Sequence, residues 1–115
     1  MWTDVFFSPM VVDNLVEVLV SMYRRDLSGV YHVAGSESCS KYAFGQAVAS
    51  AFGLDAGLIE PTSVGEARLI APRPRNLSLD VTRAATVQDI RLLNVGEGIA
   101  RFRGSAAVHP EPHIP

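Results

Sequence analysis

Pro72 and Pro74, one residue apart, constrain this chain more than any other feature. Each lacks a backbone donor, fixes its own φ, and pushes the residue before it into extended geometry. The segment Ala71-Pro72-Arg73-Pro74-Arg75-Asn76 can therefore be neither regular helix nor central strand. It divides the chain into a well-patterned part before it and weaker helical stretches after it. The whole chain has 115 residues, the size of one ordinary domain. Hydrophobic residues make up 48% and charged residues 19%, which excludes a disordered chain.

Before the prolines the periodicity alternates between helix and strand. Ser8-Pro9 opens a first helix, with Asp13 as a competing cap. Leu15, Val16, Leu19, Val20, Met22 and Tyr23 form its apolar face. Asp13, Asn14, Glu17, Ser21, Arg24 and Arg25 fill the other, and Gly29 ends it. Val30 to Ala34, β-branched and aromatic, reads as a buried strand closed by Gly35-Ser36. Ser40 caps a second helix that stops at Gly53. Leu58-Ile59-Glu60 is expected as a short strand and Ser63 to Leu69 as a helical turn. Beyond the prolines, Leu77 to Asp80 is extended with Asp80 as a cap. Thr82 to Val87 and Val95 to Phe102 are helical. The order is α/β, with too few strands for a full doubly wound sheet. Residues 1–103 form the expected domain, and the Pro-rich end, residues 104–115, an expected disordered tail.

Several function classes fall away. The formal net charge is -2, without the positive field that non-specific nucleic-acid binding uses. No apolar run approaches the ~18 residues of a membrane span. A lone cysteine, Cys39, excludes an intrachain disulfide and a multi-cysteine zinc site. The N-terminus has no basic region ahead of its apolar residues, so the cytoplasm is the expected compartment. His109 and His113 have ligand spacing for a helix, but Pro110 and Pro112 forbid that helix, and no metal site is expected. His32 reads as a structural histidine and Cys39 as a bystander. Glu37 and Lys41 have the spacing of a weak helical ion pair. Gly96-Glu97-Gly98 reads as a loop or helix start.

The proline segment is the feature packing explains least. Pro72 and Pro74 stiffen a stretch that carries Arg73 and Arg75, and Asn76 adds a donor and an acceptor. Holding a guanidinium on a rigid loop lowers the entropy cost of binding. Its fork suits phosphate or carboxylate oxygens. One reading is a clamp for an anionic ligand such as a diphosphate. In the other, these arginines pair with Asp80 or Glu66, or are solvated.

Arg73-Pro74, Asn76 and Ser78-Leu79-Asp80 together resemble the RPxNxxLD stretch of the dTDP-4-dehydrorhamnose reductase family, extended short-chain dehydrogenase/reductases acting on nucleotide sugars. Phe7-Ser8-Pro9 with Val12-Asp13-Asn14-Leu15 is similar to that family's sPT…DLA segment, though Met10 stands where threonine is usual. Gly29 to Gly35 is similar to its GiyHvaG strand, and Ser40 to Phe44 to its S-x-y-e-f helix start. The resemblance implies the C-terminal, sugar-nucleotide-binding part of a Rossmann-type reductase. Arg73, Asn76 and Arg75 would contact substrate, and Ser8 and Pro9 would line the junction with the cofactor domain. NADPH or NADH would serve the intact enzyme. These 115 residues contain neither a glycine-rich dinucleotide fingerprint nor a Tyr-x-x-x-Lys pair. Tyr23, Tyr31 and Tyr42 are followed four residues on by Leu27, Gly35 and Gln46. No catalytic or cofactor residue is therefore assigned. The chain looks like the latter third of such an enzyme, as an excerpt, a truncated gene product or a free-standing descendant. The implied partners are a nucleotide sugar and either a Rossmann domain or a second copy against an exposed apolar face. The alternative is a non-catalytic binding or self-associating module that presents the same surface to a protein.

Overall fold

A computed structural model describes residues 1–67 and 69–108. The elements are β1 (Phe6–Phe7), α1 (Val12–Arg24), β2 (Cys39–Ser40), α2 (Lys41–Ala51), β3 (Asn76–Leu77), α3 (Thr82–Ala85) and α4 (Val95–Val108), with 3-10 turns at Ala56–Leu58 and Val64–Glu66. The three strands form one small mixed sheet in the order β2-β1-β3. β1 runs antiparallel to β2, Phe6 opposite Ser40, and parallel to β3, Phe6 opposite Asn76. β3 follows directly on the two prolines and lies on the sheet edge, the place where missing donors cost least.

α2 forms as its sequence predicts. Ser40 Oγ accepts from the Ala43 amide at 3.0 Å, and Gly53 takes φ +66° after the last turn, a conformation that suits glycine. α4 opens with a reciprocal cap. Asn94 Oδ1 accepts from the Glu97 amide at 2.8 Å, and Glu97 Oε1 accepts from the Asn94 amide at 3.1 Å, so Gly96-Glu97-Gly98 is a helix start. The helix continues past Phe102, so residues 104–108 extend it instead of opening the expected tail. The remaining tail, with His109 and His113, lies outside the described residues. Phe52 of α2 meets Phe102 of α4 with ring centres 5.8 Å apart, and Phe7 meets Phe44 edge to face at 5.3 Å.

Five further expectations change. Neither Ser8 nor Asp13 caps α1. The helix starts at Val12 behind Val11, with no side-chain cap. Ser8 Oγ instead accepts from the Leu79 amide at 3.3 Å, and Asp13 takes the Ser105 hydroxyl. α1 also ends at Arg24, ahead of Gly29, with Asp26 at φ +52°. Its packing is rotated from the expected face: Asn14 and Val18 are buried and Leu15 and Met22 half-buried, while Val16, Leu19, Val20 and Tyr23 are exposed, Tyr23 by 87%. The cause is Asn14, whose Nδ2 donates to the Arg91 carbonyl at 2.9 Å and whose Oδ1 accepts from the Leu93 amide at 3.1 Å. Tying α1 down by that face turns those four apolar residues outward.

The other two changes concern strands. Val30 to Ala34 joins no ladder among the described residues. Arg83 Nη1 donates to the Val30 carbonyl at 2.9 Å, and its guanidinium stacks on Tyr31 at 4.2 Å. His32 is exposed there, not a core residue. A strand-forming sequence needs a neighbouring strand, and none lies beside it. Leu58 to Glu60 begins inside the 3-10 turn instead. Asp55 Oδ1 accepts from the Gly57 amide at 2.9 Å and closes that turn.

Candidate functional site

The proline loop ends on β3, and Asp4 anchors it from the other end of the chain. Asp4 Oδ2 accepts from the Ser63 hydroxyl at 2.6 Å, and Oδ1 accepts from the Val64 amide at 2.9 Å. Arg75 Nε stands 3.9 Å from the same carboxylate. The Ser63 hydrogen bond, then the Val64 amide, with a smaller contribution from Arg75, hold the Asp4 carboxyl below its usual 3.8. The Phe6 amide donates to the Arg75 carbonyl at 2.8 Å. Arg75 is therefore held at its backbone, with its exposed guanidinium at the edge of ion-pair reach of Asp4.

Asn76 is committed to the backbone. Its Oδ1 accepts from the Ser78 amide at 3.0 Å and shapes the exit from β3. Ser78 Oγ lies 2.6 Å from Ser38 Oγ. Arg73 is exposed and makes no ion pair or side-chain hydrogen bond among the described residues. The three residues read from the sequence thus sit side by side in three different states: Arg73 open, Arg75 braced, Asn76 structural through its oxygen with its amide NH2 left over.

The carboxylates expected to neutralise the arginines do not. Asp80 accepts from the Thr82 hydroxyl at 2.5 Å and the Thr82 amide at 3.0 Å, and these bonds hold its carboxyl below the usual 3.8. Glu66 forms no ion pair among the described residues. Asp4, which does face Arg75, has no local signal in the sequence. It lies 71 positions before Arg75, and only the β1–β3 pairing brings the two together.

Ser8 and Pro9 leave β1 beside this loop. Pro9 lines an apolar cleft of about 540 Å³ with Met10, Val12, Phe44, Ile99 and Phe102. Glu37 and Lys41 do not pair. Glu37 Oε1 accepts from the Val95 amide at 3.2 Å, while Lys41 Nζ sits 3.7 Å over the Phe7 ring. Cys39 is free and half-buried. Burial, then the nearby Glu37, push its thiol above the usual 9.0, which disfavours the reactive thiolate. Among the described residues no cluster of His, Cys, Asp and Glu could hold a metal ion. None of their helices is long and apolar enough to cross a membrane. A dinucleotide does not fit these elements. The strands have two residues each, and β2 passes straight into α2 with no glycine turn to cradle a pyrophosphate.

Comparison with known proteins follows the same lines. A family profile described as the RmlD substrate binding domain matches residues 1–106. A probable low-salt glycan biosynthesis reductase, Agl14 of Haloferax volcanii, is 29% identical over 82 residues, covering 71% of this chain and 27% of that protein. The crystal structure of dTDP-4-dehydrorhamnose reductase from Bacillus anthracis in complex with NADP superposes with a TM-score of 0.82 at 24% identity, over 90% of this chain and 37% of that one. An orthologous dTDP-4-dehydrorhamnose reductase from Clostridium acetobutylicum gives a TM-score of 0.82 at 17% identity, over 93% of this chain and 39% of that one. This chain therefore spans between about a quarter and two-fifths of the relatives it matches.

Proposed function

We infer the role of this chain from the family to which it belongs, that of the RmlD substrate binding domain: it supplies the nucleotide-sugar contacts of a sugar-nucleotide reductase. The observation that carries this is the proline loop anchored on the sheet. The Phe6 amide holds the Arg75 carbonyl where the loop enters β3, and Arg73 stands beside it with its guanidinium open. An anchored loop that offers an open guanidinium is prepared to take a diphosphate, since little order is left to impose on binding. Arg73 makes the phosphate contact, Arg75 adds field and shape, and the Asn76 amide NH2 donates to sugar or phosphate oxygens.

Hydride transfer from NADPH or NADH belongs to the remainder of a full-length reductase of this family. On this reading the exposed Val12, Leu19 and Tyr23 of α1 and the strand-like segment from Val30 to Ala34 meet a cofactor domain, with Ser8 and Pro9 at the junction. Such a domain would give that segment the neighbouring strand it lacks here. The setting is the cytoplasm, in keeping with a lone, free Cys39.

A thermal-shift titration with dTDP, UDP and dTDP-rhamnose tests this reading, on the wild type and on Arg73→Ala. A ligand that binds only the folded state stabilises it by about 2.7 kcal/mol at a hundredfold excess over Kd. A saturable rise in Tm that Arg73→Ala abolishes is expected. No rise with any of the three overturns the reading. In the same preparation, no 4-keto-sugar-dependent oxidation of NADPH is expected from these residues alone.

A further inference from the structure

We propose that the cleft between α1 and the segment that leads into α4 binds a second anion, a small phosphate-bearing ligand, at a site that shares no residue with the proline loop. The cleft has a volume of about 490 Å³ and is lined by Arg24 of α1, Arg91 of the preceding loop and Arg101 of α4. That volume lies within the range of small-molecule pockets. Three arginines from three separate elements line it in a chain whose net charge is -2.

The cleft is firmly built at its base. The buried Asn14 amide holds the Arg91 carbonyl at 2.9 Å and the Leu93 amide at 3.1 Å. The backbone that carries Arg91 is thereby fixed against α1. Two carboxylates, Glu17 and Asp89, also line the cleft. Each is already matched: Glu17 pairs with Arg101, and Asp89 with Arg25. Arg91 pairs with Glu97. Arg24 has no carboxylate among the described residues.

The balance over all these groups is one uncompensated cation, Arg24, beside two guanidiniums held in exposed pairs. Exposed pairs contribute little net free energy, roughly 0–1 kcal/mol each. A dianion that offers several oxygens competes with Glu97 and Glu17 for Arg91 and Arg101, and guanidinium geometry favours phosphate oxygens bidentately.

A 15N-HSQC titration of the full chain with inorganic pyrophosphate, at physiological salt, tests the site. Saturable shifts at the Ser21 and Leu93 amides are expected. In Arg24→Gln/Arg91→Gln the Kd should rise by at least about tenfold, as loss of charged hydrogen bonds implies. The rest of that variant's spectrum reports its folding. Arg73→Ala should leave this Kd unchanged, which separates the cleft from the proline loop. Orthophosphate and glucose 1-phosphate, titrated in parallel, tell a free phosphate ligand from a phosphoester. Saturable binding of either at these amides supports the cleft. Shifts confined to residues 73–76, an unaltered Kd in the double variant, or no saturable binding would each overturn the proposal.

Discussion

Asp4 and Asn14 tie distant parts of this chain together around the two proposed sites. Asp4 joins the chain's start to the Ser63 turn and to Arg75. Its carboxyl is held below the usual 3.8 by those bonds. A carboxyl whose folded value is depressed gives stability that is present above the unfolded value and lost as pH falls through the folded one. Thermal melts should therefore lose stability below a pH of about 4. Asp4→Asn should flatten that acid limb and lower Tm at neutral pH; an acid limb identical to the wild type's would assign the effect elsewhere. Asn14 is 3% exposed and spends its whole amide on Arg91 and Leu93. Truncation to alanine strands a buried donor and acceptor, at a cost of about 2–4 kcal/mol. Chemical denaturation of Asn14→Ala measures this directly. Arg73, Arg75 and Asn76 are proposed from side-chain type and the adjoining prolines. Asp4 was not legible in the sequence, because nothing near it in the chain announces a partner so distant.

At the scale of elements, two glycines separate packing that is rigid from packing that yields. A Cβ on Gly35 would run into the Pro9 carbonyl, which is backbone and cannot swing aside. Gly35→Ala should cost at least about 1–3 kcal/mol by overpacking and should disturb the Ser8-Pro9 junction. A Cβ on Gly45 would meet the tip of Met1, a flexible side chain. Gly45 lies inside α2, where alanine gains roughly 0.5–1 kcal/mol over glycine. Gly45→Ala should therefore be neutral or stabilising. Paired melting curves check both, and a reversed order would contradict the packing described. The caps of α2 and α4 were readable because capping is local chemistry. The strand expected at Val30 to Ala34 was misread because β-propensity describes a residue's fit to a neighbour. The neighbour has to be supplied by the fold.

Across the whole molecule the apolar surface is unevenly distributed. Seven apolar residues are buried among those described, while Val12, Val16, Leu19, Val20 and Tyr23 leave one side of α1 exposed. On the proposed function, that side of α1 meets a cofactor domain. Val12→Gln and Leu19→Gln should then change this chain's own stability by less than about 0.5 kcal/mol, as exposed substitutions do, while weakening the proposed docking to a cofactor domain. Large destabilisation of the isolated chain would instead place that face in its own core. The sequence by itself determined the α/β class, the capped α2, the rigid arginine loop and the family resemblance. Each of these rests on short-range chemistry: a proline's missing donor, a hydroxyl three residues from an amide, charged groups on adjoining positions. Only the tertiary structure decided which face of α1 turns inward, which short segments pair into a sheet, and that Asp4 meets Ser63 and Val64. Those depend on contacts between residues tens of positions apart, which local propensity does not encode.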